Sequence, residues 1–178
     1  VIVNLIARSK AETQVERIAD AARQIEGAFS LVITTNDSLV GVRDPQGFRP
    51  LCLGKTANGY VLSSESCAFD AIKAEFIRHI DPGEMVIIDD SGVRSTVYAE
   101  PEKIDKKLCV FEYIYFARGD SHIDGQSVYQ SRLNMGRELY NETKYDADIV
   151  MSIPDSGTTA ALGYARASGI PFAEGLVK

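Results

Sequence analysis

The chain has 178 residues, enough for one ordinary domain or for parts of two, and 45% of them are apolar, enough for a hydrophobic core. Its 19 basic and 25 acidic residues give a net charge of −6 and a pI near 5.0, which argues against a nucleic-acid-binding protein. No apolar stretch reaches transmembrane length, and the three widely spaced cysteines argue against a zinc or disulfide framework and favour a reducing, cytoplasmic setting.

The first part of the chain has the pattern of a helix followed by antiparallel strands. Because Val1 is not a methionine and begins an apolar segment, we expect an internal fragment of a longer protein. Ser9 and Glu12 have the spacing of a capping box, and with Gly27 as a stop signal they predict a helix over residues 9–26. A further helix is predicted at 67–76, and strands are predicted at 28–34, 39–42, 51–53, 60–63, 85–89 and 93–98.

The pattern changes after a charged, proline-containing segment at residues 100–107, which is typical of a linker. Beyond it we predict an aromatic strand at 109–117, a helix at 127–143, a buried strand at 148–153, a turn at 154–157, a helix at 158–167 and an extended segment at 170–172. The final order of strand, loop, helix and strand is the unit of a parallel sheet. We therefore expect an α+β chain with an antiparallel domain over 1–108 and the start of an α/β domain over 109–178.

The turn between the predicted strand at 148–153 and the following helix is a candidate binding site. The hydroxyl of Ser156 can cap that helix, which is its ordinary structural role. The same hydroxyl, with the N–H groups around it, can also face a bound anion. Both interpretations of Ser156 remain open from the sequence.

A second candidate loop contains the acidic pair Asp89 and Asp90. An apolar strand precedes the pair and small hydroxyl residues follow it, which resembles the substrate loop of phosphoribosyltransferases. That loop leads into a helix, whereas here β-branched residues continue towards Pro101. We therefore predict a hairpin, with Asp89 and Asp90 as turn residues.

Four other residues have side chains that could be functional, but each also has an ordinary structural interpretation. Cys109 is either a buried structural thiol or one thiolate ligand of an iron–sulfur cluster, which usually needs four cysteines. His79 and His122 lack a partner at metal or triad spacing, so surface or turn positions are predicted. Glu112 alternates with tyrosines and is predicted to be structural.

The run Gly41–Leu51 is the most distinctive stretch, since it combines two arginines, an aspartate, two prolines and two glycines. It is similar to the RDP-x-G-x-RPL signature of the class II glutamine amidotransferases. The branch of that family that supplies nitrogen to purines, the amidophosphoribosyltransferases, resembles the chain over essentially its whole length. Further residues that carry this resemblance are Gly27–Ser30, Ser63–Glu65, Pro82–Glu84, Phe111–Arg118, Asp120–Ser121, Ile123–Asp124 and Gly175–Lys178.

The resemblance implies two domains of one enzyme. Residues 1–108 would be the C-terminal part of an N-terminal-nucleophile glutaminase with an αββα fold, and 109–178 the start of a phosphoribosyltransferase domain. The enzyme would convert phosphoribosyl diphosphate, glutamine and water to 5-phosphoribosylamine, glutamate and pyrophosphate, the first step of de novo purine (IMP) biosynthesis. Magnesium, a 4Fe–4S cluster in some members, a homo-oligomer and feedback inhibition by purine nucleotides are also implied.

Three residues match functional positions of that family. Ser156 matches a position associated with magnesium, Lys178 the first residue of a flexible loop that closes over substrate, and Cys109 the first cluster ligand. No catalytic residue is expected in this chain, because the nucleophilic cysteine would lie before Val1, and the isolated chain is expected to be inactive. Gly119 departs from the family, which usually has proline there. The alternatives are another class II glutamine amidotransferase and a non-catalytic nucleotide-binding regulatory module.

Overall fold

The computed structural model describes residues 1–177, and they form two compact units that divide after Cys109. The first unit begins with two helices, α1 (Ile2–Arg8) and α2 (Gln14–Arg23). The prediction of one helix over 9–26 was wrong at its start, because the capping box is formed by Thr13 and Glu16. The hydroxyl of Ser9 instead donates to Asp20, 2.7 Å away.

Two antiparallel sheets follow the helices. The four-stranded sheet has the order β1 (Ser30–Thr34), β2 (Ser38–Arg43), β6 (Glu84–Asp89) and β7 (Gly92–Val97). The three-stranded sheet has the order β4 (Gly59–Ser63), β3 (Cys52–Thr56) and β5 (Glu75–His79). Helix α3 (Cys67–Ile72) ends at Lys73 in a left-handed conformation, so the predicted helix over 67–76 was wrong at its end, where β5 begins.

The side chains of β6 show how the layers of the first unit are arranged. Met85 and Ile87 pack against α2 residues such as Ile18, whereas Val86 and Ile88 pack against Leu53 of the second sheet. This alternation places one sheet face against a helix and the other against the second sheet.

Helix α3 covers the outer side of the second sheet. A Cβ atom on Gly54 would lie 2.8 Å from the ring of Phe69 in α3, so the helix approaches the strand closely. The order of layers is therefore helix, sheet, sheet, helix, which confirms the predicted α+β class and the αββα arrangement.

The β6–β7 hairpin places Asp90 in its turn, whereas the prediction of a turn position was wrong for Asp89, which is the last residue of β6. Ile88 pairs with Val93, and Asp89 pairs with Gly92. The Asp89 carboxylate accepts hydrogen bonds from Ser91 and Arg94 across this turn. The predicted hairpin is confirmed.

The second unit begins at Val110 and contains two long helices. A single π-helical turn, here called the aromatic turn (Glu112–Phe116), replaces the strand predicted at 109–117, which was wrong. The short strands β8 (His122–Ile123) and β9 (Gln126–Ser127) lead into α4 (Val128–Glu142), and α5 (Gly157–Ser168) follows. The two helices confirm the predictions at 127–143 and 158–167.

Helices α4 and α5 contact each other through glycines. A Cβ atom on Gly136 would lie 1.8 Å from the carbonyl oxygen of Ala160, and one on Gly163 would lie 2.1 Å from that of Leu133. No side chain larger than hydrogen fits between these backbones.

The segment predicted as a buried strand at 148–153 makes one parallel bridge, between Val150 and Phe172. Ile153 is 79% exposed, so the prediction of burial was wrong for this segment. The bridge nevertheless gives the expected parallel order of extended segment, helix and extended segment around α5.

Candidate functional site

A cleft of about 520 Å³ lies at the amino end of α5 in the second unit. One wall is the loop that enters α5, with Asp155, Ser156 and Thr159. The other wall is the end of the aromatic turn together with Arg118 and Arg132. Hydroxyl, carboxylate and guanidinium groups therefore share one opening.

The loop that enters α5 has features of an anion site. Ser156 is the N-terminal boundary residue of α5, but its side chain makes no capping hydrogen bond, so the simple capping interpretation was wrong. The N–H of Thr158 donates to the Asp155 carbonyl at 3.2 Å, and its hydroxyl lies 3.0 Å from that of Ser152. Since the first N–H groups of a helix lack partners within the helix, the helix start favours negative charge.

The two arginines of the cleft have different environments. Arg132 of α4 is 5% exposed and donates to the carbonyls of Tyr113 and Ala117, both at 2.7 Å. It therefore fixes the aromatic turn against α4. The side chain of Arg118 is 68% exposed, and its guanidinium donates to both carboxylate oxygens of Asp120, at 3.1 and 2.7 Å.

Tyr113 completes the support of the aromatic turn. Its hydroxyl donates to the carbonyl of Ile123 at 2.9 Å. Burial raises the pKa of Tyr113 above its ordinary value, and the negative charge of Asp124 adds to the effect. The phenol therefore remains a neutral donor.

In the first unit, the run Gly41–Leu51, here called the signature run, is held in place by the buried side chain of Asp44. The buried carboxylate of Asp44 accepts hydrogen bonds from the N–H groups of Phe29, Gln46, Phe48 and Arg49, at 3.0 to 3.3 Å. Charge-assisted bonds of this kind are stronger than neutral ones, so one carboxylate fixes the path of the loop.

Arg43 performs the complementary task in the same run. Its guanidinium is buried and donates to the carbonyls of Arg49, Ile80 and Gly47, at 2.6 to 3.0 Å. The Tyr98 hydroxyl donates to the Arg43 carbonyl at 3.0 Å, and burial, assisted by the charge of Asp44, raises the pKa of Tyr98 well above its ordinary value. These contacts give the signature run a role in holding the fold.

The predicted site residues are placed as follows. Ser156 lies in the cleft, Cys109 is a partly exposed free thiol at the end of the first unit, and Lys178 lies outside the described residues. The prediction of a surface or turn position for His79 was wrong, because His79 lies partly buried at the end of β5, with its Nδ1 3.2 Å from Sγ of buried Cys52. His122 lies exposed in β8, and Glu112 is buried in the aromatic turn.

Sequence reasoning did not identify Arg118 and Arg132 as cleft residues. Both are far from Ser156 along the chain, and no local pattern indicates that they meet one opening. The only available signal was the bidentate spacing of Arg118 and Asp120, two residues apart after an aromatic run.

Metal-binding groups are sparse in the described part of the chain. Among residues 1–177, no group of three or more His, Cys, Asp or Glu side chains is arranged to hold a metal ion. The oxygen donors of Asp155 and Ser156 nevertheless suit magnesium, which commonly uses one or two protein ligands together with substrate phosphates. The partly exposed thiol of Cys109 suits one ligand of a cluster, whereas Cys52 and Cys67 are buried.

Residues 1–71 match the family described as a glutamine amidotransferase domain. The chain is 47% identical over 180 residues to the soybean protein named amidophosphoribosyltransferase, chloroplastic, covering all of this chain and 31% of that protein. It is 52% identical over 165 residues to the amidophosphoribosyltransferase of Synechococcus elongatus, covering 90% of this chain and 33% of that protein. The chain thus spans about a third of the length of these relatives.

The fold has a solved counterpart. The chain is 41% identical to the glutamine phosphoribosylpyrophosphate amidotransferase from Bacillus subtilis complexed with ADP and GMP, with a TM-score of 0.95. The match covers 99% of this chain and 38% of that one. Among the helices described here, none is long and apolar enough to cross a membrane.

Proposed function

The chain belongs to the amidophosphoribosyltransferase family, and from that premise we propose that it works as part of an enzyme that makes 5-phosphoribosylamine. The enzyme would use glutamine, water and phosphoribosyl diphosphate and release glutamate and pyrophosphate, as the first step of purine biosynthesis. The observation that carries the proposal is the agreement in sequence and fold along 99% of the chain with one relative.

We assign residues 1–108 to the glutaminase domain and 109–178 to the start of the phosphoribosyltransferase domain. The αββα layers and the match over residues 1–71 support the first assignment. The loop–helix–extended order around α5 and the cleft at its amino end support the second. Lys178 is proposed, by family position, as the first residue of the loop that closes over substrate.

In the cleft, Ser156 and Asp155 would hold magnesium together with the substrate's phosphate oxygens. A bound magnesium ion neutralises charge on the departing pyrophosphate. The chain's own contribution is to orient the pyrophosphate. The start of α5 and the hydroxyls of Ser156 and Thr159 line the cleft, and Arg132 holds the wall formed by the aromatic turn in place before substrate binds. Replacing Ser156 by alanine should therefore raise the KM for phosphoribosyl diphosphate without changing glutamine hydrolysis measured alone.

For Cys109 we propose a role as one ligand of a 4Fe–4S cluster in the complete protein. The support is its partial exposure at the boundary of the first unit and its family position. Iron and sulfide analysis of anaerobically purified protein tests this role. A Cys109→Ser variant that keeps the full iron content would contradict it and favour a structural thiol.

The proposed reaction is tested with the full-length protein that contains this chain. We expect a basal rate of glutamate formation from glutamine that phosphoribosyl diphosphate accelerates, with one pyrophosphate released for each glutamate formed above that basal rate. The isolated 178-residue chain should release no ammonia above a blank. Glutamine hydrolysis coupled to a different acceptor would identify another class II amidotransferase, and nucleotide binding without hydrolysis would identify a regulatory module.

Further partners are proposed from the relatives. The Bacillus structure is described as complexed with ADP and GMP, so we propose purine nucleotides as feedback inhibitors of this enzyme too. A homo-oligomer is proposed from the family. The three free cysteines support a reducing, cytoplasmic compartment, although three plant relatives are named as chloroplastic proteins.

A further inference from the structure

The wall of the cleft opposite α5 carries an exposed positive charge. Arg118 follows the aromatic turn and lines the same opening as Ser156 and Thr159. The substrate proposed above carries a diphosphate group, and the planar guanidinium fork of arginine matches phosphate oxygens. Arg118 therefore lines the same cleft in which a diphosphate held at the start of α5 would lie.

Arg118 is oriented by its neighbour. Asp120 accepts two hydrogen bonds from Nε and one terminal nitrogen of the guanidinium, which sets the plane of the fork. The Arg118 side chain is still 68% exposed in this pairing, so its guanidinium remains accessible to an anion in the cleft. Fixing the side chain in advance reduces the ordering cost of that binding.

Arg132 does not fill this role. It is 5% exposed, and its donors reach two backbone carbonyls of the aromatic turn and its end. Truncating it would loosen the wall of the cleft, whereas truncating the exposed Arg118 removes charge with little loss of packing. The two arginines can therefore be separated by experiment.

We infer that Arg118 binds the diphosphate group of the substrate in this cleft and that Asp120 is a positioning residue for Arg118. This inference rests on the proposed function and adds a substrate-contacting residue to it. The bonds concerned are charge-assisted, so their loss weakens binding by roughly 10- to 100-fold.

The test compares full-length wild type with Arg118→Met, Arg118→Lys, Asp120→Asn and Asp120→Glu. We expect Arg118→Met to raise the KM for phosphoribosyl diphosphate by about 10- to 100-fold and Arg118→Lys by less, because lysine keeps the charge without the fork. Asp120→Asn should raise that KM with kcat nearly unchanged, and Asp120→Glu should restore part of the loss. Glutamine hydrolysis without phosphoribosyl diphosphate should be unchanged in all variants.

Arg166→Met is the matched control, because Arg166 is an exposed arginine of α5 that lines a different groove. Its KM should stay within about twofold of wild type, as for most surface changes. Calorimetry with magnesium pyrophosphate gives a second readout for any variant with reduced turnover.

The outcomes separate the two proposals. A wild-type protein that does not use phosphoribosyl diphosphate contradicts the proposed function itself. An active wild type whose Arg118→Met variant keeps both its KM and its affinity for magnesium pyrophosphate overturns only the role of Arg118. A loss of affinity shared equally by Arg166→Met would also overturn it, since the effect would then reflect general charge.

Discussion

Replacing Gly163 by alanine should separate α4 from α5. The added Cβ would lie 2.1 Å from the carbonyl oxygen of Leu133, whereas ordinary contact begins at 3.4 Å, so the helices would have to move apart by roughly 1.3 Å. The atoms that this Cβ would meet belong to the backbone of Leu133, and a backbone has no alternative rotamer that would relieve the clash.

The expected cost follows from two opposing effects. Overpacking a well-filled contact costs about 3 kcal/mol at the upper end of its usual range, which a rigid backbone neighbour justifies. Alanine in place of glycine inside a helix stabilises that helix by about 1 kcal/mol. The net destabilisation is therefore about 2 kcal/mol. The open state of the helix pair should then be roughly 30-fold more populated than in wild type.

Hydrogen exchange measured by mass spectrometry on peptides from α4 and α5 reads this equilibrium locally. Gly157→Ala is the control on the same helix, because a Cβ there meets nothing within 4 Å. If the amides of both helices in Gly163→Ala exchange no faster than in Gly157→Ala, the close backbone contact does not exist. Gly136→Ala should resemble Gly163→Ala, since it meets Ala160 from the other helix.

Three further substitutions test the first unit. Asp44→Asn replaces one carboxylate oxygen by an NH2 group, so two backbone N–H donors lose their acceptor. The free energy of unfolding measured in urea should fall by about 3 kcal/mol. Thr13→Ala removes the capping box with Glu16 and should cost about 1 kcal/mol in the same assay. For Glu84, burial raises the pKa, but hydrogen bonds from Arg78 and a backbone N–H outweigh it and lower the pKa below 4.5. Glu84→Gln should therefore lose stability that wild type has above pH 4.5, and the difference should shrink as pH falls through the lowered pKa.

Matched controls exist for the two acidic substitutions. Asp37→Asn changes an exposed turn carboxylate, and Glu75→Gln changes an exposed carboxylate on β5. Equal urea midpoints for Asp44→Asn and Asp37→Asn would show that the Asp44 network does not hold the loop. A Glu84→Gln difference that is constant between pH 7 and pH 3 would contradict the assigned pKa shift.

The sequence predicted six of the seven strands of the first unit because their apolar runs and turn residues are local, but it missed β5, whose first residues were assigned to the preceding helix. It misplaced the start of α2 because Ser9–Glu12 and Thr13–Glu16 both have capping-box spacing. The choice between them depends on Asp20, which binds the Ser9 hydroxyl from a later turn of the helix. A competition of that kind cannot be resolved from spacing alone.

The aromatic turn shows a similar limit. Its alternating aromatic residues have a strand pattern, but Arg132, far along the chain, donates to the carbonyl of Tyr113 in the turn and to that of Ala117 just after it, and so stabilises a helical turn. The candidate site was predicted only in part for the same reason. The strand–turn–helix pattern identified Ser156. Arg118 is far from Ser156 in the sequence, and only the folding of the chain brings both residues to the same cleft.

The glycine contact between α4 and α5 has a consequence for how the cleft works. Arg132 ties the aromatic turn to α4, the glycines lock α4 to α5, and α5 begins at the Ser156 loop. Both walls are thus parts of one rigid frame whose width is set by a backbone-to-backbone distance. The two walls of the cleft therefore cannot move towards each other when the substrate binds. Any shielding of the substrate from solvent must come from a separate segment that moves over the cleft.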